Sequence, residues 1–232
     1  MKTAVFIFHG DLAFFLPQHA AEVPLTFADH QSVKHLIEAL GVPHVEVGQV
    51  CLAGGQPVSL DSLPPDGARL EVSPAPPGCP CEPRFLLDNH LGRLAAYLRM
   101  LGFDCLYEND FQDDEMAALL AADPRILLTR DRRLLMRKVI RYGYCPRSFE
   151  PQAQLLEVVR RFELAGLVQP FRRCLRCNTP LVPVEKSAVL DRLEPLTRRY
   201  FDEFHLCPNC NQVYWKGSHY QRMLALVASL AA

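Results

Sequence analysis

The period of the hydrophobic pattern changes along the chain, and the changes predict its elements. Residues 3–8 and 22–27 read as two strands. A helix follows, with Ser32 as its N-cap, apolar Val33, Leu36, Ile37 and Leu40 on one face, and Gly41 just past its end. Short strands are predicted at 45–50 and 70–72, with a turn at Gly54-Gly55. The five prolines of residues 73–83 then fix backbone angles and remove donors, which predicts an extended, semi-stiff linker. Beyond it, Phe85, Leu86 and Leu87 form a short apolar run that leads into Asp88. Leu91, Leu94, Ala95, Leu98 and Leu101 recur at helical spacing up to Gly102, and 103–107 reads as a strand. Asp113 begins a helix containing Met116, Leu119 and Leu120, which Pro124 ends. Residues 126–129 form a buried strand leading to Arg130 and Asp131, and the next helix carries Leu134, Leu135 and Val139 on one face. A longer amphipathic helix, with Leu155, Leu156, Val158, Val159 and Phe162, stops near Gly166. Strands alternating with helices imply βαβ units and a mostly parallel sheet.

The order ββα followed by short strands in residues 1–73 resembles a β-grasp, ubiquitin-like module, close to the sulfur-carrier branch. Sulfur carriers act through a free C-terminal Gly-Gly. Here the module ends in Glu71-Val72-Ser73-Pro74 and continues into more protein, so the resemblance implies an interaction or scaffold role without carrier chemistry.

Composition narrows the class. The chain has 232 residues, 49% hydrophobic and 22% charged, which argues against extended disorder. No apolar run approaches the ~20 residues needed to span a bilayer. The apolar start is cut short by His9, Gly10 and Asp11 without a small-residue cleavage site, so a non-secreted, cytoplasmic protein is expected, with no membrane contact. The net charge of −1 hides an asymmetry: residues 1–77 carry −5, 78–150 are neutral, and 151–232 carry +4. That balance excludes a simple nucleic-acid coat and leaves room for a local basic surface. Nine cysteines, an odd number with four of them in two C-x2-C pairs, fit a reducing compartment and one metal site better than a disulfide framework. Cys79 and Cys81, one residue apart in the proline-rich segment, have poor zinc-knuckle spacing and read as linker.

Asp88 and Asp131 each stand just beyond the C-terminal end of an apolar strand, the edge where open parallel α/β sheets bind ligands. Asp113, Asp114 and Glu115 open a helix, where carboxylates also serve as caps. Capping explains each acid singly; two acids at strand ends with a third on the intervening helix also suit a hard cation, Mg²⁺ or Mn²⁺, able to activate water at a phosphodiester. From Arg125 to Arg147 eight basic residues face one acid, Asp131, a pattern that reads either as phosphate-binding or as a solvated basic face. Cys174 and Cys177 with Cys207 and Cys210, 29 residues between the pairs, predict a zinc ribbon with four cysteine ligands, structural because four thiolates leave no open position. Tyr214, Trp215, Lys216 and His219 follow, an aromatic-basic mix for stacking on single-stranded nucleic acid, with packing against the zinc knuckle the equal alternative for Trp215.

These residues together resemble the Mut-seven-C RNase family, a PIN-like nuclease domain fused to a zinc ribbon, whose bacterial members often carry a ubiquitin-like domain in front. The resemblance rests on Arg84-Phe85-Leu86-Leu87-Asp88, Leu91-Gly92-Arg93-Leu94-Ala95, Gly102-Phe103-Asp104 and Asp113-Asp114-Glu115-Met116. It also rests on Arg125 through Arg132, on the two cysteine pairs, and on Trp215-Lys216-Gly217-Ser218-His219. It implies an α/β chain: a β-grasp domain at 1–73, a linker at 74–83, a PIN-like α/β/α domain at 84–170, and a zinc ribbon with a C-terminal helix at 171–232. It implies a metal-dependent RNase with Asp88, Asp113 and Asp131 as acidic residues, Asp114 standing in if the helix registers one residue later. Arg132 and Arg133 occupy the place where PIN nucleases often present a fourth acid, a departure that leaves the count of Mg²⁺ or Mn²⁺ ions open between one and two. RNA contacts are then expected at Arg93, Arg130, Arg132, Arg133, Arg137, Lys216 and His219. The competing reading is a non-catalytic RNA-binding or adaptor protein. A third makes the β-grasp module a docking site for a protein partner, so that deleting residues 1–77 leaves cleavage intact. PIN-type domains often dimerise, and the apolar tail 224–232 offers core or a homodimer interface.

Overall fold

The computed structural model describes residues 1–228. In chain order its elements are β1 (Lys2–Phe8), β2 (Glu22–Phe27), α1 (Val33–Ala39), β3 (Val47–Leu52), β4 (Ala68–Pro74), β5 (Arg84–Leu87), α2 (Gly92–Met100) and β6 (Asp104–Leu106). These are followed by α3 (Asp113–Ala122), β7 (Ile126–Leu128), α4 (Arg132–Leu135), β8 (Gly143–Tyr144) and α5 (Pro151–Arg161). The last part holds β9 (Val182–Val184), α6 (Lys186–Val189), α7 (Pro195–Tyr200), β10 (Phe204–Leu206), β11 (Val213–Tyr214) and α8 (Ser218–Ala228). None of the described helices is long and apolar enough to cross a membrane.

The chain divides into two compact units, Met1–Pro76 with Gln112–Arg147, and Pro77–Phe111 with Ser148–Ala232. In the first, a mixed sheet runs in the order β2-β1-β4-β3, with β1 antiparallel to β2, parallel to β4, and β4 antiparallel to β3. This is the β-grasp arrangement. Alternate residues Ala4, Phe6 and Phe8 of β1 and Ala68, Leu70 and Val72 of β4 are buried, as are Val33, Leu36 and Ile37 of α1, whose Ser32 hydroxyl accepts from the His35 amide. The same unit contains α3, the parallel pair β7–β8, and α4.

Two predictions about this unit change. Residues 44–46 form a 3-10 turn after Pro43, and the strand begins only at Val47, because the turn carries the Glu46 side chain inward to accept from the Cys145 amide at 2.7 Å. Helix α4 ends at Leu135. Met136 N–H already bonds back to both Arg132 and Arg133, and the tighter Arg137→Leu134 and Ile140→Arg137 bonds follow. Ile140 takes the buried place at the end of this run, and Val139 stays half-buried.

The second unit pairs β5 with β6 in parallel and packs α2 against α5. Phe85 meets Phe103 and Phe162 edge-on, both at 6.0 Å. Its ribbon sheet is antiparallel in the order β11-β10-β9, with a small core of Val189, Leu193, Phe204 and Val213 against which Trp215 packs. The apolar tail at 224–232 runs into residues 229–232, which lie outside the described residues.

Candidate active site and metal centre

The four cysteines converge as their spacing requires. Their Sγ atoms all lie within 4.8 Å of one another, with Cys174 to Cys210 and Cys177 to Cys207 each at 3.4 Å. All four are free thiols. A tetrahedral ion with Zn–S bonds of about 2.3 Å holds its thiolates ~3.8 Å apart, so this donor set fits structural zinc. Each pair is a tight turn built the same way. The residue after its second cysteine, Asn178 or Asn211, has φ near +60° and donates its amide to the first cysteine's carbonyl, at 3.0 and 2.9 Å. The thiols do not ionise alike. Burial opposes ionisation of Cys177, yet its hydrogen bonds with Thr179 pull it down to about 5; burial and the neighbouring thiols push Cys210 up to about 12. Four thiolates this close need a cation between them.

Contacts that the pattern of single residues did not reveal hold the first knuckle in place. Arg99 of α2 is buried. Its Nε donates to the Cys105 carbonyl at 2.9 Å and one terminal nitrogen donates to Leu175 and Arg176 carbonyls, both at 3.1 Å. Asn178 donates to Asp104 at 2.7 Å and accepts from the Cys105 amide at 3.1 Å, while Arg173 pairs with Asp104 at 3.1 Å.

In the same unit Asp88 follows β5, 5% exposed, and its Oδ1 accepts from the His90 amide at 2.9 Å. Tyr107 stands beyond β6; burial and then the Asp88 charge push its phenol above the ordinary value. Its hydroxyl donates to the Asn89 carbonyl at 3.1 Å, and a Cβ on Gly92 would lie 2.5 Å from the Tyr107 hydroxyl oxygen. The glycine of the Leu91-Gly92-Arg93 motif is thus a close-approach position for Tyr107. Arg93 is exposed on α2.

The first unit brings the remaining acids together. The N-cap of α3 is Gln112, whose amide donates to Glu115 at 3.0 Å, so Asp113 and Asp114 are freed from capping. Arg137 pairs with both, at 3.5 and 2.5 Å. The hydrogen bond to Asp114, and then the charges of Asp114, Asp113 and Asp131, raise the guanidinium pKa. Asp131 does cap: its Oδ1 accepts from the amides of Arg133 and Leu134 at 2.7 and 3.3 Å, and Oδ2 takes no part in the cap. The cation among these carboxylates is therefore an arginine of the chain itself.

The other predicted RNA-contacting cations differ in their commitments. Arg130 donates to the carbonyls of Pro146 and Arg147 at 2.7 and 2.9 Å. Arg132 donates to the Phe15 carbonyl at 2.8 Å and lies over the Phe14 and Phe15 rings. Arg133 is exposed, and Lys216 pairs with Glu203 at 2.6 Å. The side chain of His219 lies outside the described residues.

No curated protein and no solved structure matches the chain. The Mut7-C RNAse domain matches residues 83–227, more than half of the chain, and the Mut7-C ubiquitin domain matches residues 1–77. With a ubiquitin-like sheet in front, strand-end carboxylates and a four-cysteine ribbon behind, the chain belongs to the Mut7-C RNAse family.

Proposed function

We propose that the protein is a metal-dependent ribonuclease that hydrolyses RNA phosphodiester bonds. The observation that carries this reading is the Mut7-C RNAse domain match over residues 83–227, which contain Asp88 and Asp131 at strand ends and Asp113 and Asp114 at the start of α3. Asp88, Asp113 and Asp131 would hold a Mg²⁺ or Mn²⁺ ion, with Asp114 in reserve. Such an ion supplies an activated water and charge stabilisation at the leaving oxygen. Cys174, Cys177, Cys207 and Cys210 would hold a structural zinc, since four thiolate ligands leave no place for a substrate. Arg93 and Arg133, both exposed, would meet phosphates; Arg137 would do so only on leaving Asp113 and Asp114, and Arg130 and Arg132 would act by holding main chain through their carbonyl contacts. The domain boundaries 1–73, 84–170 and 171–232 serve this reading as functional segments: partner contact, chemistry, and metal-braced RNA binding.

The test compares wild type with Asp131→Asn in an RNA-cleavage assay with and without Mn²⁺. Asparagine caps a helix as well as aspartate does, so the variant keeps α4 while losing the charge that a cation needs. Cleavage that requires Mn²⁺ and falls by at least tenfold in the variant supports the nuclease. A wild type that binds RNA and never cleaves it supports the adaptor reading instead. That second reading has its own observation: Arg137 already balances Asp113 and Asp114, and Asp131 already caps.

A further inference from the structure

The second unit contains a cavity of about 370 Å³ beside the ribbon, lined among others by Met100, Phe171, Leu181, Val213, Trp215 and Tyr220. Its size falls within the range of small-molecule sites, roughly 300–1,000 Å³. Phe171 has φ +58°, a left-handed conformation that a bulky side chain rarely adopts. The strain is held by contacts: its ring stacks on His205 at 4.9 Å and leans on Tyr220 at 5.0 Å. The Lys216 ammonium lies 6.0 Å from the same ring. A second cavity, of about 460 Å³, shares Arg173 and Leu181 with the first, and its wall adds Arg84, Arg172 and Gln169. Two acids face these cations, Glu82 on Arg84 and Asp104 on Arg173, while Arg172 is exposed and held by Gln169 at 2.9 Å.

An aromatic, apolar recess that shares a wall with an arginine-lined recess has the two halves of a nucleotide: a flat π-faced base and an anionic phosphate. We propose that the aromatic cavity takes one unpaired nucleobase of single-stranded RNA, with the adjoining phosphate lying over Arg172 and Arg173; the choice of RNA rests on the ribonuclease reading above. Stacking on Phe171 and Trp215 is tolerant of sequence, because every base has a π face, and the arginines follow the backbone. An apolar peptide would fill the first cavity and offer no anion to the exposed Arg172 that lines the second. The net charge of +4 over residues 151–232 favours the anionic ligand.

Trp215 is the chain's single tryptophan, so its emission reports occupancy of the cavity directly. The experiment titrates full-length, zinc-loaded protein, without Mg²⁺ or Mn²⁺, with fluorescently silent single-stranded RNA octamers and with octamers of the same backbone made abasic. Base-containing octamers are expected to quench Trp215 and abasic ones not. Phe171→Leu should weaken binding roughly five- to hundredfold, the worth of one stacked base. Leu181→Phe, which fills the cavity and leaves Arg173 in place, should do the same; zinc content and near-ultraviolet circular dichroism confirm that both variants fold. Equal quenching by abasic octamers, or unchanged affinity in both folded variants, overturns the proposal, as does quenching by an apolar peptide and by no RNA. Cleavage is measured in parallel with Mn²⁺. RNA that is cut while Trp215 stays silent sinks the cavity assignment alone. Base-dependent quenching without any cleavage sinks the ribonuclease reading and leaves the cavity assignment standing.

Discussion

Arg137 shows how one side chain can decide what a cluster of acids does. It is the resident counter-charge of Asp113 and Asp114 and lies within the field of Asp131. Any divalent ion that the acids bind has to compete with it. Arg137→Gln should therefore raise Mn²⁺ affinity several-fold by titration calorimetry, with the melting temperature almost unchanged because exposed ion pairs contribute little. Unchanged Mn²⁺ affinity would separate the acids from metal binding. Gly102 is the opposite kind of residue, one whose worth lies in having no side chain. Its φ is +100°, and a Cβ there would lie 1.9 Å from the Gln169 carbonyl oxygen. Gly102→Ala should cost about 3 kcal/mol in urea unfolding, since neither backbone can yield without losing the Gln169–Leu101 hydrogen bond of 2.9 Å. The sequence showed Gly102 as a helix stop because C-terminal glycines have a local signature. It did not show Gln169, because a partner 67 positions away leaves no periodic trace.

Among elements, legibility followed length. Strands β1 and β2 and helices α1, α2, α3 and α5 are long enough for their buried positions to repeat, and each appears where the pattern puts it, whereas β3 and β4, predicted at 45–50 and 70–72, run over Val47–Leu52 and Ala68–Pro74. The two-residue β8 and β11 and the three-residue β9 have no period to read, and α4 is shorter than its apolar spacing suggested because 3-10 turns replace its last bonds. The convergence of the four cysteines was legible from spacing alone; what anchors their turns was not. Arg99 looks in the sequence like one more cation on an amphipathic helix, yet it is buried and donates to three main-chain carbonyls, two of them in the first knuckle. Arg99→Met keeps the volume and leaves those carbonyls unmatched, so a loss of about 2–4 kcal/mol is expected. The same variant should release zinc faster to a chromophoric chelator, because the knuckle that presents Cys174 and Cys177 loses its clamp. Normal zinc release with lowered stability would mean that Arg99 serves α2 alone.

For the chain as a whole, the question is whether residues 1–77 can be removed. As a docking module they should be separable, and cleavage should survive their deletion. The first unit argues otherwise, because it is built from Met1–Pro76 together with Gln112–Arg147. The Arg147 guanidinium pairs with Glu46 at 2.9 Å and with Asp11 at 2.8 Å, and lies over the rings of Phe14, Phe15 and Tyr144. Arg132 reaches the Phe15 carbonyl, His44 lies 3.0 Å from the Ile140 carbonyl, and Gly143 packs so closely that a Cβ would meet Val45 at 3.2 Å. Removing one partner of a buried pair such as Arg147–Glu46 leaves the other uncompensated, at a cost of about 3–5 kcal/mol. Truncation would do that and also strip the phenylalanine rings from two arginines and the Glu46 acceptor from the Cys145 amide. The segment so exposed carries Asp113, Asp114 and Asp131. A chain beginning at residue 78 should thus lose α3 and α4 order and, with them, Mn²⁺-dependent cleavage, while its zinc content stays at one per chain because all four cysteines belong to the other unit. Hydrogen exchange would show the loss as rapid labelling confined to residues 112–147. Protected amides there, with cleavage retained, would return the ubiquitin-like domain to the role of a separable docking module.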